Sequence, residues 1–465
     1  GELFHGVIPR VLKTDNYTFL TQGPIPKVIG TMAVPTIISM LITSLYNIAD
    51  TFFVGHINTQ STAAIGITFT AMFLMQAIGF FFGHGSGNYI SRELGAKRHD
   101  NARNMASLGF FSCFFAGCIV CIIGLLLLQP IALGLGSTPT ILPYTERYMG
   151  IIFLGAPFFM SSLTLNNQLR LQGNARYAMV GIVTGALLNV VLDPVLIFAA
   201  GMGITGAALA TVIGQLVSFC ILFAMTYHAG NIPIRWTSFK FSLNGFKEIF
   251  YGGSPSFSRQ GLEAISTMLL NLAAANYGDA AIAGMSVVNR VCMLIMAVII
   301  GLGQGFQPVC GFCYGAKLYK RLREGFWFTV RLGTIFLLVC TLGGFAFTDT
   351  IIAIFRNDPE VIAVGSTALR WQLATLPFGA TIMISNMMMQ TCRKPWRANL
   401  LAAARRGIFF IPLVIILPAC FGLKGVEMCQ AWSDTLAFLT TVWVMRGAFI
   451  EFSSEEVALQ PDKHG

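Results

Sequence analysis

Twelve long apolar stretches follow one another along the chain, and short segments rich in polar residues, glycine and proline separate them. They cover residues 28–53, 62–89, 104–128, 143–169, 177–199, 204–227, 250–275, 281–309, 326–347, 362–391, 397–420 and 424–446. A helix needs about 20 mostly apolar residues to cross a bilayer, and each stretch reaches that length. The pattern predicts an all-α membrane protein with twelve transmembrane helices, called spans 1 to 12 below.

One long polar break divides these spans into two halves of six. Landmarks recur between the halves at a shift of 220 residues, among them the "GAK" that ends at Lys97 and again at Lys317, and the pair Pro157 and Pro377. Because six is an even number, both halves insert in the same orientation, which predicts two six-helix bundles related by a parallel pseudo-twofold repeat. We predict a cytoplasmic N-terminal segment (1–27), an N-terminal lobe (28–227), a cytoplasmic linker (228–249), a C-terminal lobe (250–447) and a cytoplasmic tail (448–465).

Composition and charge support a membrane protein. The 465 residues are 55% hydrophobic and 11% charged, with a mean hydropathy of +0.70, whereas soluble domains have about 25% charged residues. The net charge of +10 is concentrated in the loops that follow the even-numbered spans, with Arg147, Arg356 and Lys424 as exceptions. By the positive-inside rule these loops and both termini are cytoplasmic, so the charge indicates topology and not nucleic-acid binding. No cleavable signal peptide is visible.

The eleven cysteines are scattered, mostly inside apolar stretches. Cys310 and Cys313 form a CxxC motif, but no second pair and no histidine cluster accompanies it. We interpret the cysteines as buried thiols that pack as small hydrophobic groups, and we expect no metal site of Cys or His.

Four oxygen-bearing side chains lie at similar depth in the N-terminal half. Asp50 lies about 33 Å along span 1 and Asp193 about 24 Å along span 5, with Asn189 one turn before it. Thr211 lies about 10 Å into span 6 from the opposite side, so all four fall in the outer half of the membrane. Tyr46 and Asn47, about one turn before Asp50, are candidate supporting residues.

Two buried carboxyl groups at one depth are expensive to keep charged. A charged aspartate at mid-bilayer costs about 2.5–3.5 kcal/mol on insertion scales, and two carboxylates about 4 Å apart repel by about 4 kcal/mol at an effective dielectric constant of 20. The pair of Asp50 and Asp193 should therefore hold a proton readily or exchange it for a cation such as Na⁺. The alternative is that Asp50 caps the end of span 1 near water and that Asp193 is an N-cap before Pro194.

Other intramembrane groups allow two interpretations each. Pro35 in span 1 is either a static kink or a hinge. Arg259 and Glu263, one turn apart on span 7, form a structural ion pair or place Glu263 against a cationic substrate. The 220-residue shift places Leu270 and Leu413 opposite the two aspartates, so ion coupling should be confined to the first half. Met72 and Tyr148 are candidates for lining a cleft between the lobes.

Several stretches resemble one known family. "YNIADTFFVGH", "NVVLDPV", "TGAALAT" and "GLGQGFQPVCGFCYGAK" are similar to the multidrug and toxic compound extrusion (MATE) family, in particular its bacterial branch that exports cationic drugs, and the resemblance covers about residues 20 to 447. It implies an ion-coupling site formed by Asp50, Asn189, Asp193 and Thr211, with Pro35 as the bending proline. It also implies a monomer in the bacterial inner membrane that exchanges small organic cations for H⁺ or Na⁺ by alternating access.

The resemblance implies no further cofactor, no enzymatic activity and no partner other than the substrate cations and the lipid bilayer. The alternative within the same superfamily is a flippase for lipid-linked precursors, which would need a strongly basic central cavity. An intramembrane enzyme is disfavoured, because His56, His84 and His99 show no metal-binding spacing and no HExxH motif is present.

Overall fold

The structure, a computed structural model, describes residues 16–228 and 230–459. Its main helices are α1 (Ile25–Gly55), α2 (Thr59–Gly95), α3 (His99–Leu126), α4 (Leu128–Gly134), α5 (Leu142–Leu154), α6 (Ala156–Leu171), α7 (Ala175–Pro194), α8 (Ile204–Thr226), α9 (Leu243–Ala275), α10 (Asp279–Gly315), α11 (Tyr319–Ala346), α12 (Thr348–Phe355), α13 (Pro359–Thr375), α14 (Phe378–Thr391), α15 (Pro395–Ala403), α16 (Phe410–Phe421) and α17 (Leu423–Ala458). No β-strand occurs in the described part of the chain.

The predicted all-α fold with twelve spans is confirmed, with breaks in some of the spans. Span 4 consists of α5 and α6, bent by 50° at Gly155, and span 10 consists of α13 and α14. Spans 5 and 11 each contain a π-helical turn, at Val195–Ala199 and Ala404–Ile408. Within the described ranges, nine helical segments are long and apolar enough to cross a membrane, or ten with the bent pair, when each π-helical turn is counted together with the helices that flank it. The short helices α4 and α12 were not predicted.

Two helices extend beyond the predicted lobe boundaries. Helix α9 begins inside the predicted linker, where the side chain of Ser242 accepts a hydrogen bond from the Gly245 backbone N–H at 3.2 Å, as an N-cap residue does. Helix α17 continues through Ala458 into the predicted tail. Glu451 pairs there with two basic residues that precede and begin α15, Lys394 and Arg397. Residues 1–15 and 460–465 of the predicted terminal segments lie outside the described residues.

The backbone repeats between the two halves with the predicted shift. Lys97 and Lys317 have φ values of 61° and 60°, and Gly173 and Arg393 have φ values of 94° and 56°. A left-handed conformation costs a non-glycine residue roughly 1–2 kcal/mol, so three such residues at corresponding turns reflect a shared requirement of the fold. These four turns lie at the end of the molecule that bears the Lys- and Arg-rich loops, called the basic end below.

The two lobes, α1–α8 and α9–α17, touch along glycine-lined contacts near the basic end. Helix α1 packs on α10, and a Cβ added to Gly301 would lie 2.8 Å from the Cα of Ile37. Helix α2 packs on α9, where a Cβ at Gly253 would overlap the carbonyl oxygen of Phe81. Only glycine permits backbones to approach this closely.

The same helix pairs diverge toward the other end. Thr70 lies eleven residues before Phe81 on α2, and Ala264 lies eleven residues after Gly253 on α9; both are exposed. Eleven residues are about three helical turns. Thr70 therefore lies on the same face of α2 as Phe81, and Ala264 lies on the same face of α9 as Gly253. The lobes therefore enclose a wedge-shaped cleft that is closed at the basic end and open at the far end.

Candidate functional site

Asp50 and Asp193 face each other inside the first lobe. Asp50 is 7% exposed and Asp193 is fully buried. Their carboxyl groups are close enough for a proton on one to be shared with the other. The structure thus joins the two acids that the depth argument placed at one level, and it places them away from the open cleft.

Helix α7 changes its geometry next to Asp193. Asn189 and Asp193 lie one turn apart, and Pro194 ends the regular helix before the π-helical turn Val195–Ala199. Proline removes a backbone N–H from the helix, and π-helical turns occur often at functional sites. Asp193 therefore belongs to a helical turn and is not an N-cap before Pro194.

A close crossing of α7 and α8 brings Thr211 to the same site. A Cβ at Gly214 would lie 2.7 Å from the carbonyl oxygen of Gly185 and 3.3 Å from the Cβ of Asn189. Thr211 lies one turn before Gly214 on α8 and donates a hydrogen bond to the carbonyl of Ala207 at 3.1 Å. Its hydroxyl oxygen retains lone pairs for another partner.

Several buried oxygens at this site lack a hydrogen-bond partner within residues 16–228 and 230–459. They are Oδ1 of Asp50, Oδ1 of Asn189 and both carboxyl oxygens of Asp193. Buried polar atoms are nearly always hydrogen-bonded in proteins, so this cluster of unpartnered acceptors is a candidate site for a proton or a cation. Carboxylate, amide and hydroxyl oxygens are the ligands of hard cations, and the residues therefore fit Na⁺ as well as H⁺.

A transition metal fits less well. No group of three or more His, Cys, Asp or Glu side chains that suits a metal ion is found among the residues that the structure describes. Cys310 lies 3.3 Å from Cys392 between the sulfur atoms, while Cys313 approaches the carbonyl of Leu20. The two cysteines of the CxxC motif thus have separate neighbours.

Two tyrosines border the acid pair. Tyr46 is half-buried near both aspartates. Tyr148 is 2% exposed, with its hydroxyl within hydrogen-bonding reach of Thr211. The structure therefore places Tyr148 at this site instead of on the cleft wall. Asn47 is half-buried, and its side chain has no hydrogen bond to any described residue.

Gln215 is a residue of this region that sequence reasoning missed. It lies one turn after Thr211 on α8 and is 9% exposed, and neither polar atom of its amide has a described partner. A Cβ at Gly155, where span 4 bends, would lie 3.3 Å from the Gln215 Oε1 atom. The available signal was the i, i+4 spacing of Thr211 and Gln215 on a predicted apolar helix.

Pro35 lies within a continuous α1 near the lobe interface. The hydroxyl of Thr36, the next residue, lies 2.8 Å from the carbonyl oxygen of Ala33 and 2.6 Å from that of Gly301, and it donates its single proton to the nearer one, Gly301. Gly301 belongs to the other lobe, so the proline segment of α1 is joined directly to α10. Met72 is half-buried against the apolar core of the first lobe.

The charges of the second lobe pair differently from the predicted arrangement. Glu263 pairs with Arg406 of the π-helical turn at 3.2 Å. Arg259 instead donates hydrogen bonds to Asn386 and Ser256. The prediction of a structural ion pair between Arg259 and Glu263 is therefore wrong, because each of them has a partner on another helix. Glu263 thus has a basic partner, whereas neither Asp50 nor Asp193 forms an ion pair with any residue that the structure describes.

Comparisons with known proteins agree with this architecture. The sequence profile of the MatE family matches residues 35–195 and again residues 255–416. The two matched segments begin 220 residues apart, at the shift that relates the two halves.

Relatives match over almost the full chain. The multidrug export protein MepA of Staphylococcus aureus (strain MSSA476) is 26% identical over 438 residues, which are 93% of this chain and 96% of MepA. MepA of Staphylococcus haemolyticus is 27% identical over 446 residues, 95% of this chain and 96% of that protein. A crystal structure of MATE in the straight conformation superimposes with a TM-score of 0.89 at 23% identity and covers 94% of this chain and 99% of its own.

Proposed function

Because this chain belongs to the MatE family, we propose that it is a secondary active multidrug efflux transporter. It exchanges small organic compounds, including organic cations, for H⁺ or Na⁺ by alternating access. Its relatives of similar length bear the name multidrug export protein, which supports transport as the activity and gives no indication of an enzyme. The coupling ion binds at Asp50, Asn189, Asp193 and Thr211.

One observation is the main support for the proposed ion-coupling site. The carboxyl groups of Asp50 and Asp193 meet inside the first lobe, and three of their four oxygens have no partner among the described residues. A structural ion pair would provide a nearby arginine or lysine, as Glu263 has in Arg406. Two unpaired acids at one place are stabilised by a bound proton or cation, because either removes the repulsion between two negative charges.

The position of the acids links ion binding to the lobe interface. Asp50 lies on α1, and Thr36 on the same helix bonds to Gly301 of the second lobe. Neutralising the acid pair changes how α1 packs against α7 and α8, and Pro35 gives α1 a place to bend. Bending there strains the contact with α10 that closes the basic end.

The orientation follows from the positive-inside rule. The basic end is cytoplasmic, as are both termini, and the chain is a multi-pass protein of the bacterial inner membrane. In that orientation the cleft faces outward. The described conformation is therefore the one from which the transported compound leaves and the coupling ion enters.

Ethidium transport in proteoliposomes tests this function. The protein is reconstituted, and uptake or efflux is recorded with an imposed pH gradient, an imposed Na⁺ gradient, or neither. Gradient-driven ethidium movement by the wild type is expected, and Asp193→Asn and Asp50→Asn should each abolish it. Asp279→Asn is the matched control because Asp279 is exposed at the start of α10. Full coupled transport by correctly inserted Asp193→Asn protein would exclude the proposed site.

A further inference from the structure

Arg290 of α10 lies on the face of that helix that looks into the cleft. Gly301 of α10 contacts Ile37 of α1 near the basic end. Arg290 precedes Gly301 by eleven residues, and Ile48 follows Ile37 by eleven residues. Because eleven residues are about three turns, Arg290 and Ile48 lie on the two helix faces that meet at Gly301, about 16 Å further out. Arg290 is exposed and Ile48 is 55% exposed, so the helices have separated here.

Arg290 has no partner among the residues that the structure describes. It forms no ion pair and no hydrogen bond there, although other basic side chains of the second lobe do. The neighbouring Asn289 accepts a hydrogen bond from Arg406 at 2.9 Å, and Arg406 already holds Glu263. The polar groups beside Arg290 are therefore engaged with each other and leave its guanidinium unpaired.

The depth of Arg290 makes an unpaired charge costly once the cleft closes. It lies eleven residues, or about 16 Å, from the start of α10, which is near the middle of a hydrocarbon layer about 30 Å thick. In the open cleft, water solvates the guanidinium. When the far end closes, the apolar face of α1 around Ile48 approaches it, and a buried arginine needs an anionic partner.

The surroundings of Arg290 suit an amphiphilic ligand. Met293, three residues later on α10, is 49% exposed, and the wall across the cleft includes Ile48, which is 55% exposed. Flexible methionine side chains accommodate apolar bodies of varied shape. The planar guanidinium binds carboxylates through two parallel hydrogen bonds. Together they provide an apolar contact area with one anion-binding group.

We propose that Arg290 binds the carboxylate of zwitterionic amphiphiles, compounds with both a cationic group and a carboxylate, and thereby determines which compounds are exported. This inference rests on the proposed efflux function and narrows its substrate class. A zwitterion brings Arg290 its missing anion, whereas a purely cationic compound brings a like charge. The neutralised ester of such a zwitterion therefore loses the contact while it keeps the apolar body.

Two rhodamines test this proposal because they differ only at the carboxyl group. Rhodamine 110 carries a free carboxylate, and rhodamine 123 is its methyl ester. Initial rates of gradient-driven transport of both dyes are measured in proteoliposomes for the wild type, Arg290→Gln, Arg290→Lys and Arg331→Gln. Arg331 is the matched control because it is another exposed arginine of the second lobe, in the middle of α11.

Arg290→Gln should lower rhodamine 110 transport about tenfold, the usual effect of losing a charge-assisted hydrogen bond, and change rhodamine 123 transport less than about twofold. Arg290→Lys should restore part of the loss, and Arg331→Gln should behave as the wild type. An equal change for both dyes would overturn the proposed role of Arg290 but not the proposed transport function. Failure of the wild type to move either dye under any gradient would overturn the proposed function as well.

Discussion

The hydroxyl of Thr36 donates a hydrogen bond to the carbonyl of Gly301 across the lobe interface, at 2.6 Å. The bond lies one residue after Pro35, where α1 lacks a backbone hydrogen bond because proline has no N–H. Asp50 lies fourteen residues further along the same helix, about 21 Å away. A single continuous helix therefore connects the acid pair to the contact that holds the two lobes together.

Replacing Thr36 with valine should weaken closure at the basic end. The substitution keeps the shape of the side chain and removes the interlobe bond, which is worth about 1 kcal/mol or about a fivefold shift in the conformational equilibrium. Spin labels at Thr70 and Ala264, both exposed in the cleft, should report more molecules with the far end closed and a shorter distance. Labelling is done after replacement of the exposed Cys220 and Cys420.

Thr43→Val is the control for this experiment. The Thr43 hydroxyl bonds only within α1, to the carbonyl of Ser39 at 2.7 Å. The distance distribution of this variant should match that of the wild type. If Thr36→Val also matched the wild type, the interlobe bond would have no part in setting the conformation.

Gly253→Ala should prevent closure at the basic end, whereas Gly261→Ala should not. A Cβ at Gly253 would overlap the Phe81 carbonyl oxygen, while a Cβ at Gly261 would meet no atom within 4 Å. Overpacking of this kind costs about 1–3 kcal/mol, and here only the closed state carries the cost. The same label pair should show a shortened distance for Gly253→Ala alone. Identical distance distributions for the two alanine variants would contradict this prediction, because they would show that the helices shift to accommodate a Cβ at Gly253 without opening the basic end.

Glu248→Gln should open the basic end to water. Glu248 pairs with Arg92 of the first lobe at 3.4 Å and with Arg393 of the second at 2.8 Å. Arg92 is 7% exposed, so loss of its carboxylate partner leaves a buried charge and costs about 2 kcal/mol. The buried thiol of Cys392, next to this cluster, should then react faster with a maleimide, as measured by mass spectrometry.

The control for Glu248 is Glu93→Gln. Glu93 pairs with Arg98 at 2.9 Å within the first lobe, and Arg98 is largely exposed. This change removes a carboxylate from the same end of the molecule without touching the interface. Equal Cys392 reactivity in Glu93→Gln and Glu248→Gln proteins would indicate a general electrostatic effect instead of a gate.

Glu451 should contribute stability at neutral pH that disappears in acid. Hydrogen bonds from Lys394 and Arg397 hold the pKa of Glu451 below its usual value of 4.5. A carboxyl group whose pKa is lower in the folded state stabilises the protein above the unfolded value and loses this effect as the pH falls through the folded value. Because the carboxylate is 38% exposed, the contribution is about 1 kcal/mol or less.

Thermal unfolding in detergent measures this contribution. Glu451→Gln should lower the Tm at pH 7, and its difference from the wild type should shrink as the pH is lowered past 4.5. Glu324→Gln, at an exposed glutamate with no ion pair among the described residues, should change little at either pH. A Tm difference for Glu451→Gln that persists unchanged in acid would contradict the assigned ion pairs.

The fold and much of the candidate site were predicted from the hydrophobic pattern along the chain and from the depth of each residue within its helix. Hydropathy predicted twelve spans, and the 220-residue shift predicted the repeat that Lys97 and Lys317 show in their backbone angles. The rise per residue placed Asp50 and Asp193 at one level. This arithmetic uses only distances along the chain, and it succeeds where a property depends on sequence spacing.

Properties that depend on rotation between helices were not predictable in this way. Tyr148 was assigned to the cleft, but the direction in which α5 faces depends on the 50° bend at Gly155. The partner of Glu263 is Arg406, 143 positions away, and local spacing favoured Arg259 instead. The π-helical turn that carries Arg406 has no signature in the hydrophobic pattern, because it changes the helical register by a single residue.

The two lobes meet at the basic end largely through main-chain atoms packed on glycine. Such a seam depends little on the chemistry of the side chains that line the far end of the wedge. Substitutions around Arg290 and Met293 therefore change the surface of the open cleft and leave the glycine contacts at the basic end intact.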